Sequence, residues 1–260
     1  MKRMLAALAA VLFVSLQLTD AQTVKRTFDI DDFYGVSIDD GFDVILEHTK
    51  DFKIVVEVTE EFLPYLVVKN RGGVLELTFN KLPFKLKQKN RNKVAKATIG
   101  LPALTYLSMS GATKLTSNDQ FSNAMEKFVL KMTGGSKISN LNVKAPDIDI
   151  NLSGASKAIA SLRSSDVDVD LSGGSRLEVT GEASEFDATL SGASRLISDE
   201  FTVDDADITA TGASSATVRA TKELRLELSG ASKCTYYGEE EGLQVNSERV
   251  SGGSKVKHHK

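Results

Sequence analysis

Residues 147–160 read DIDINLSGASKAIA. Asp147, Asp149 and Asn151 alternate with Ile148, Ile150 and Leu152, the period of a strand with one face buried. A Ser-Gly-Ala-Ser corner then interrupts the run, and Lys157 opens a second one. Gly154 suits a bend or a close approach that a side chain would block, and Ser153 and Ser156 can bond to local backbone. A turn at Gly154 and Ala155 is expected to reset the alternation. A strand running straight through would instead place Leu152, Gly154, Ser156 and Ala158 on the inner face and bury a ladder of serines. A phosphate-cradling loop would need a following helix and a Lys-Ser/Thr pair, and the corner has neither.

The corner recurs. Ser/Thr-Gly-Ala/Gly-Ser/Thr stands at residues 110–113, 133–136, 153–156, 172–175, 191–194, 211–214, 229–232 and 251–254, with glycines 18 to 23 residues apart. Eight copies at a period near 20 indicate a solenoid. The same alternation precedes other corners, through Val167, Val169 and Leu171, through Phe186, Ala188 and Leu190, and through Leu224, Leu226 and Leu228. No helical spacing of apolar residues fills the gaps between corners. At about 3.3 Å per residue, a repeat of about 19 residues supplies roughly 60 Å of path, one circuit of a narrow coil. The fold expected is therefore all-β: a single-stranded, right-handed parallel β-helix with coils of about 19–20 residues and atypical terminal coils.

Composition agrees with this. There is no Trp, aromatic residues make up 7%, and large aromatics are expected not to fit so narrow a bore. The formal net charge of -3 decides nothing globally, so any argument about partners rests on local charge.

Lys2 and Arg3, the apolar run of residues 4–18 and the small-x-small site Thr19-Asp20-Ala21 read as a secretory signal covering residues 1–21. A mature chain from Gln22 would contain no transmembrane segment. The single cysteine, Cys234, allows no internal disulfide, and its place four residues after a corner glycine reads as buried filler. Residues 22–103 lack the Ser-Gly corner but still read as strands. They are expected to be the first coils and cap, continuous with the regular repeats of 104–256, with a separate small β domain as the alternative. Residues 257–260 read as a tail.

The stretches GVSIDDGFDVILEH (35–48) and VVKNRGGVLELTF (67–79), together with the iterated LSGASKA corner (152–158), resemble the head GIN domain family of auto-transporter adhesins. The resemblance covers roughly residues 30–256. It implies an exported right-handed parallel β-helix, and it brings no catalytic or binding residues with it.

Counted from each corner glycine, the third residue on is basic in seven of the eight copies: Lys114, Lys137, Lys157, Arg176, Arg195, Lys233 and Lys255, with Ser215 the exception. Stacked corners would align these into a basic ladder, suited to an extended polyanion such as a polysaccharide or surface glycan. The plainer reading is solubility and protection against lateral aggregation. Five residues before the glycines stand Asp149, Asp168, Asp187 and Asp207, an acidic ladder in which solvated carboxylates are favoured over calcium.

A separate basic patch, NKLPFKLKQKNRNKVAK (80–96), contains Lys85, Lys87, Lys89 and Arg91 and no acid. Its alternating Leu82, Phe84 and Leu86 suggest an edge strand leading into a basic loop, with anionic glycans or lipid head groups as partners by attraction.

An enzyme is the reading from a different class. His48, His258 and His259 are the only histidines, the acids come as periodic ladders, and no base, nucleophile and orienting group stand together. The sequence thus indicates an exported, non-catalytic, adhesin-like module without cofactor or metal, in the periplasm or at the cell surface. Self-association or contact with an envelope protein is its alternative mode, and nucleic acid is not an expected partner.

Overall fold

The computed structural model describes residues 22–88, 93–239 and 242–259. The expected signal segment lies outside them. The fold is nearly all-β, a β-solenoid of about eight turns.

The N-terminal part comprises β1 (Thr23–Phe28), β2 (Gly35–Ile38), β3 (Asp43–His48), β4 (Lys53–Thr59), a 3-10 helix (Glu60–Tyr65), β5 (Leu66–Arg71), β6 (Val74–Phe79), a short helix α1 (Phe84–Gln88) and β7 (Ala95–Leu101). The repeats follow as β8 (Tyr106–Met109), β9 (Lys114–Ser122), β10 (Phe128–Met132), β11 (Lys137–Lys144), β12 (Asp147–Leu152), β13 (Lys157–Arg163) and β14 (Asp166–Leu171). Then come β15 (Arg176–Leu190), β16 (Arg195–Ala210), β17 (Ser215–Leu228), β18 (Lys233–Tyr237), β19 (Gln244–Val250) and β20 (Lys255–His259).

From β8 onward every pairing is parallel and joins one coil to the next, as in β12 with β14 and β13 with β15. The N-terminal part mixes both senses. β5 and β6 form an antiparallel hairpin, and β4 lies antiparallel between β1 and β7. β2 pairs in parallel with both β6 and β8, and β3 with both β7 and β9. Residues 35–48 thus stack directly on the first repeat, with β6 and β7 on their other side.

Each corner is a two-residue turn with positive φ at its glycine, 71° at Gly154. The next amide, Ala155 N–H, donates to the Gly134 carbonyl of the preceding coil at 2.7 Å, and the same bond recurs at the corners from Gly135 to Gly253. A Cβ on Gly154 would stand 2.8 Å from that oxygen. Glycine is therefore required twice here, by conformation and by the approach of the neighbouring backbone. One earlier corner escapes the glycine pattern. Ile38 pairs with Met109 and Asp43 with Lys114, so Asp39-Asp40-Gly41-Phe42 is in register with residues 110–113. Asp40 takes the glycine's place at φ 63°.

The turn forms, but the alternation does not reset. Gly154 and Ala155 both face outward, so Leu152, Ser156 and Ala158 remain in phase on the inside. Thr113, Ser136, Ser156, Ser175, Ser194, Ser214 and Ser232 form a buried hydroxyl column. Six of them are satisfied without leaving the corner; Ser156 Oγ, for example, donates to the Ser153 carbonyl at 2.6 Å.

The interior is one apolar cluster running from Phe33 to Cys234, and Cys234 itself is buried. Phenylalanines do enter the bore, contrary to the expectation from composition. Phe186 and Phe201 are fully buried with ring centroids 5.3 Å apart. Their register partners make room for them, since Phe186 pairs with Ala206 and Phe201 with Gly181.

Two further expectations are corrected. The segment after Asn80 forms the helix α1 and no edge strand: Lys81 turns the chain at a φ of 55°, and the Leu86 amide donates within the segment to the Pro83 carbonyl. Residues 257–259 continue β20, pairing with Thr235, Tyr236 and Tyr237.

Candidate functional site

The corner fixes which residue follows it, and the parallel register then stacks that residue. Lys114, Lys137, Lys157, Arg176, Arg195, Ser215, Lys233 and Lys255 are successive register partners along one edge. The cations are exposed except for half-buried Arg176, whose guanidinium lies 3.2 Å from Glu178. Parallel neighbours stand about 4.8 Å apart, so from Lys114 to Lys255 like charges recur at that interval, interrupted only by Ser215. Asp43 occupies the next rung beyond Lys114, and Lys96 the one beyond it. The cation column therefore reaches Lys96, which the spacing from corner glycines cannot reveal because β7 joins the stack after a hairpin and a helix.

The second basic patch also reaches this edge. Since β6 pairs with β2 and β7 with β3, the described residues that leave β6 and those that enter β7 lie beside the corner that Asp39–Phe42 turns. Lys85 is exposed there on α1. The Lys87 side chain, Lys89 and Arg91 lie outside what the structure describes. Lys93 returns to the core: its Nζ donates to the Asp40 carbonyl at 2.5 Å and stands 4.6 Å from the Phe79 ring centre, with Phe42 and Phe62 also within 6 Å. Burial lowers its pKa, opposed by the charges of Asp40 and Asp39. A groove of about 380 Å³ opens beside the first rungs, lined by Lys25, Asp43, Ile45, Glu57, Lys96 and Thr116.

The aspartate ladder is in register as well, Asp149 with Asp168, then Asp187, then Asp207. A parallel column two residues upstream, Asp147, Asp166, Glu185, Asp205 and Glu223, doubles it. The sequence shows these acids, but glutamates interrupt the aspartate pattern and hide the column. Lys127 closes one end of the face, 2.8 Å from Asp149, and this hydrogen bond raises the lysine's pKa. Arg225 follows Asp207 at the other end, 3.3 Å from Glu223. Partial desolvation, then repulsion from Asp166 and Asp149, raises the Asp168 pKa. Asp187 is raised by partial desolvation and by Asp207, Asp168, Asp166 and Glu185. Among the described residues no group of three His, Cys, Asp or Glu side chains is placed to hold a metal.

Among the described residues, His48 Nε2 lies 3.0 Å from the Pro102 carbonyl, and six of the seven buried corner hydroxyls donate to backbone carbonyls.

No curated protein matches the chain. Among solved structures, a "putative adhesin" from Parabacteroides merdae superposes with TM-score 0.82 at 18% identity, over 93% of this chain and 98% of that one. Another "putative adhesin", from Parabacteroides distasonis, gives TM-score 0.82 at 19% identity, over 92% and 98%. At such identities the likeness establishes the fold. The family model described as "Putative auto-transporter adhesin, head GIN domain" matches residues 32–239, most of the length and all but the last of the corners, and the chain belongs to that family.

Proposed function

We propose that the protein is an exported, non-catalytic adhesin-like module whose basic edge holds an extended anionic partner, an acidic glycan at a cell surface. The observation that carries this reading is the register. Eight cations and two interruptions, Ser215 and Asp43, form one straight column from Lys96 to Lys255. A column of ten positions about 4.8 Å apart extends over about 43 Å.

A single exposed ion pair contributes only about 0.2–1 kcal/mol. Once the first rung is engaged, each further contact on the same polymer is intramolecular, so weak contacts sum along the edge. The uniform spacing sets a requirement on the partner, which must carry charge repeatedly along one line. Neighbouring cations repel one another at this interval, and a bound polyanion relieves that repulsion, so binding should weaken with salt.

Binding of polygalacturonate to the purified mature chain tests the reading. Reversing three central rungs, Lys157→Glu, Arg176→Glu and Arg195→Glu, should lower affinity at least about tenfold, the effect of losing three contacts of roughly 0.5 kcal/mol each. Unchanged affinity removes the ladder from the function. Protease shaving of intact cells tests the surface location: protection of the chain from external protease contradicts it.

A further inference from the structure

Phe84 is 74% exposed, the one phenylalanine among the exposed large apolar side chains of the described residues. A strand at residues 82–86 would have turned Leu82, Phe84 and Leu86 to one face together. The helical turn separates them. Leu82 and Leu86, four apart, pack against the core, and Phe84 is directed away from it.

The presentation of Phe84 is fixed by its immediate neighbours. Lys81 holds a positive φ of 55°, Pro83 restricts the chain after it, and the Leu86 amide donates to the Pro83 carbonyl at 2.9 Å. Leu82 and Leu86 on either side of it are partly buried against the core. The exposed aromatic is flanked by exposed Lys81 and Lys85, and residues 80–96 contain seven Lys or Arg and no acid.

We propose that Phe84, with Lys81 and Lys85 on either side of it, docks the protein on an anionic lipid bilayer, the phenyl ring inserted at the head-group level and these two lysines against lipid phosphates. The argument is the pairing of two unlike features. A soluble polyanion would satisfy the lysines but offers no apolar depth for a phenyl ring. A neutral bilayer offers depth but no attraction for the charge. An anionic bilayer provides both, and one aromatic with a few cations gives reversible rather than permanent attachment. This inference stands apart from the glycan reading, which uses charge along the edge and needs no apolar contact.

The chain contains no Trp, so Phe84→Trp introduces a single tryptophan, selectively excited over the five tyrosines, at the point of insertion. Its emission should shift to the blue and be quenched by brominated lipid in vesicles of phosphatidylglycerol with phosphatidylcholine, and should not change with phosphatidylcholine alone. In co-sedimentation, Phe84→Ser should lower partitioning into the anionic vesicles about tenfold, as expected for losing the partial burial of one phenyl ring. The same variant should bind polygalacturonate like the wild type. Lys81→Glu with Lys85→Glu should also lower partitioning, and added salt should weaken wild-type partitioning. Unshifted emission with anionic vesicles overturns the proposal. So does equal partitioning of Phe84→Ser and wild type, which would assign any vesicle binding to charge alone. Loss of both vesicle and polygalacturonate binding in Phe84→Ser would make its effect one of folding, and the unshifted or shifted emission of Phe84→Trp then decides.

Discussion

At Gly154 two constraints coincide, a φ of 71° and a neighbouring carbonyl 2.8 Å from where a Cβ would lie. Gly154→Ala is therefore expected to destabilise the fold by about 1–3 kcal/mol, the cost of a strained conformation, while Ala155→Gly on the exposed side of the same turn changes little. Urea denaturation of the two variants separates them. Ser156→Ala should cost about 1 kcal/mol by leaving the Ser153 carbonyl without its hydroxyl donor. The glycine's role is legible in sequence because its recurrence marks the corner. The burial of Ser156 is not, because phase across a turn depends on how many turn residues point outward, and here two do. Asp40 illustrates the reverse case: a residue other than glycine in the same conformation conceals a corner that register exposes.

At the scale of elements, local pattern succeeds where neighbours in space are one period apart in sequence. Equal offsets from equal corners were enough to place Lys114, Lys157, Arg176 and their counterparts in one column. They could not place Lys96, since β7 reaches the stack through pairings with β3 and β4 that no period announces. The segment 82–86 is ambiguous in itself, because apolar residues at 82, 84 and 86 fit a strand while 82 and 86 alone fit a helix. The acidic columns carry a prediction about pH. Asp168 and Asp187 have raised pKa values in the folded state, so the native protein binds more protons than the unfolded chain between the ordinary and the raised values. Their contribution to stability therefore increases as pH falls from neutral through that window. Asp187→Asn should raise the unfolding midpoint at neutral pH and flatten its rise on mild acidification. The gain is about 0.5 kcal/mol at most, since the group is largely screened by solvent. A variant that unfolds like wild type at every pH would show that the carboxylates do not strain the face.

For the whole molecule, stacking converts one repeat's side-chain choices into continuous stripes. Strand pairing sets their interval and the number of coils sets their length. β20 ends the described stack with Lys255 and Lys257 exposed on its edge, charges that discourage another strand from extending the sheet. On the proposed reading the long basic edge is the feature on which a linear partner acts, and its central claim is that rungs add. The most direct test is the affinity of the mature chain for oligogalacturonates of increasing length, measured calorimetrically at fixed low salt. Affinity should climb with each added unit until the oligomer spans about 43 Å, the reach from Lys96 to Lys255, and then level off. An affinity that is independent of length, or that saturates at one or two sugar units, would contradict a ladder and point to a single local site.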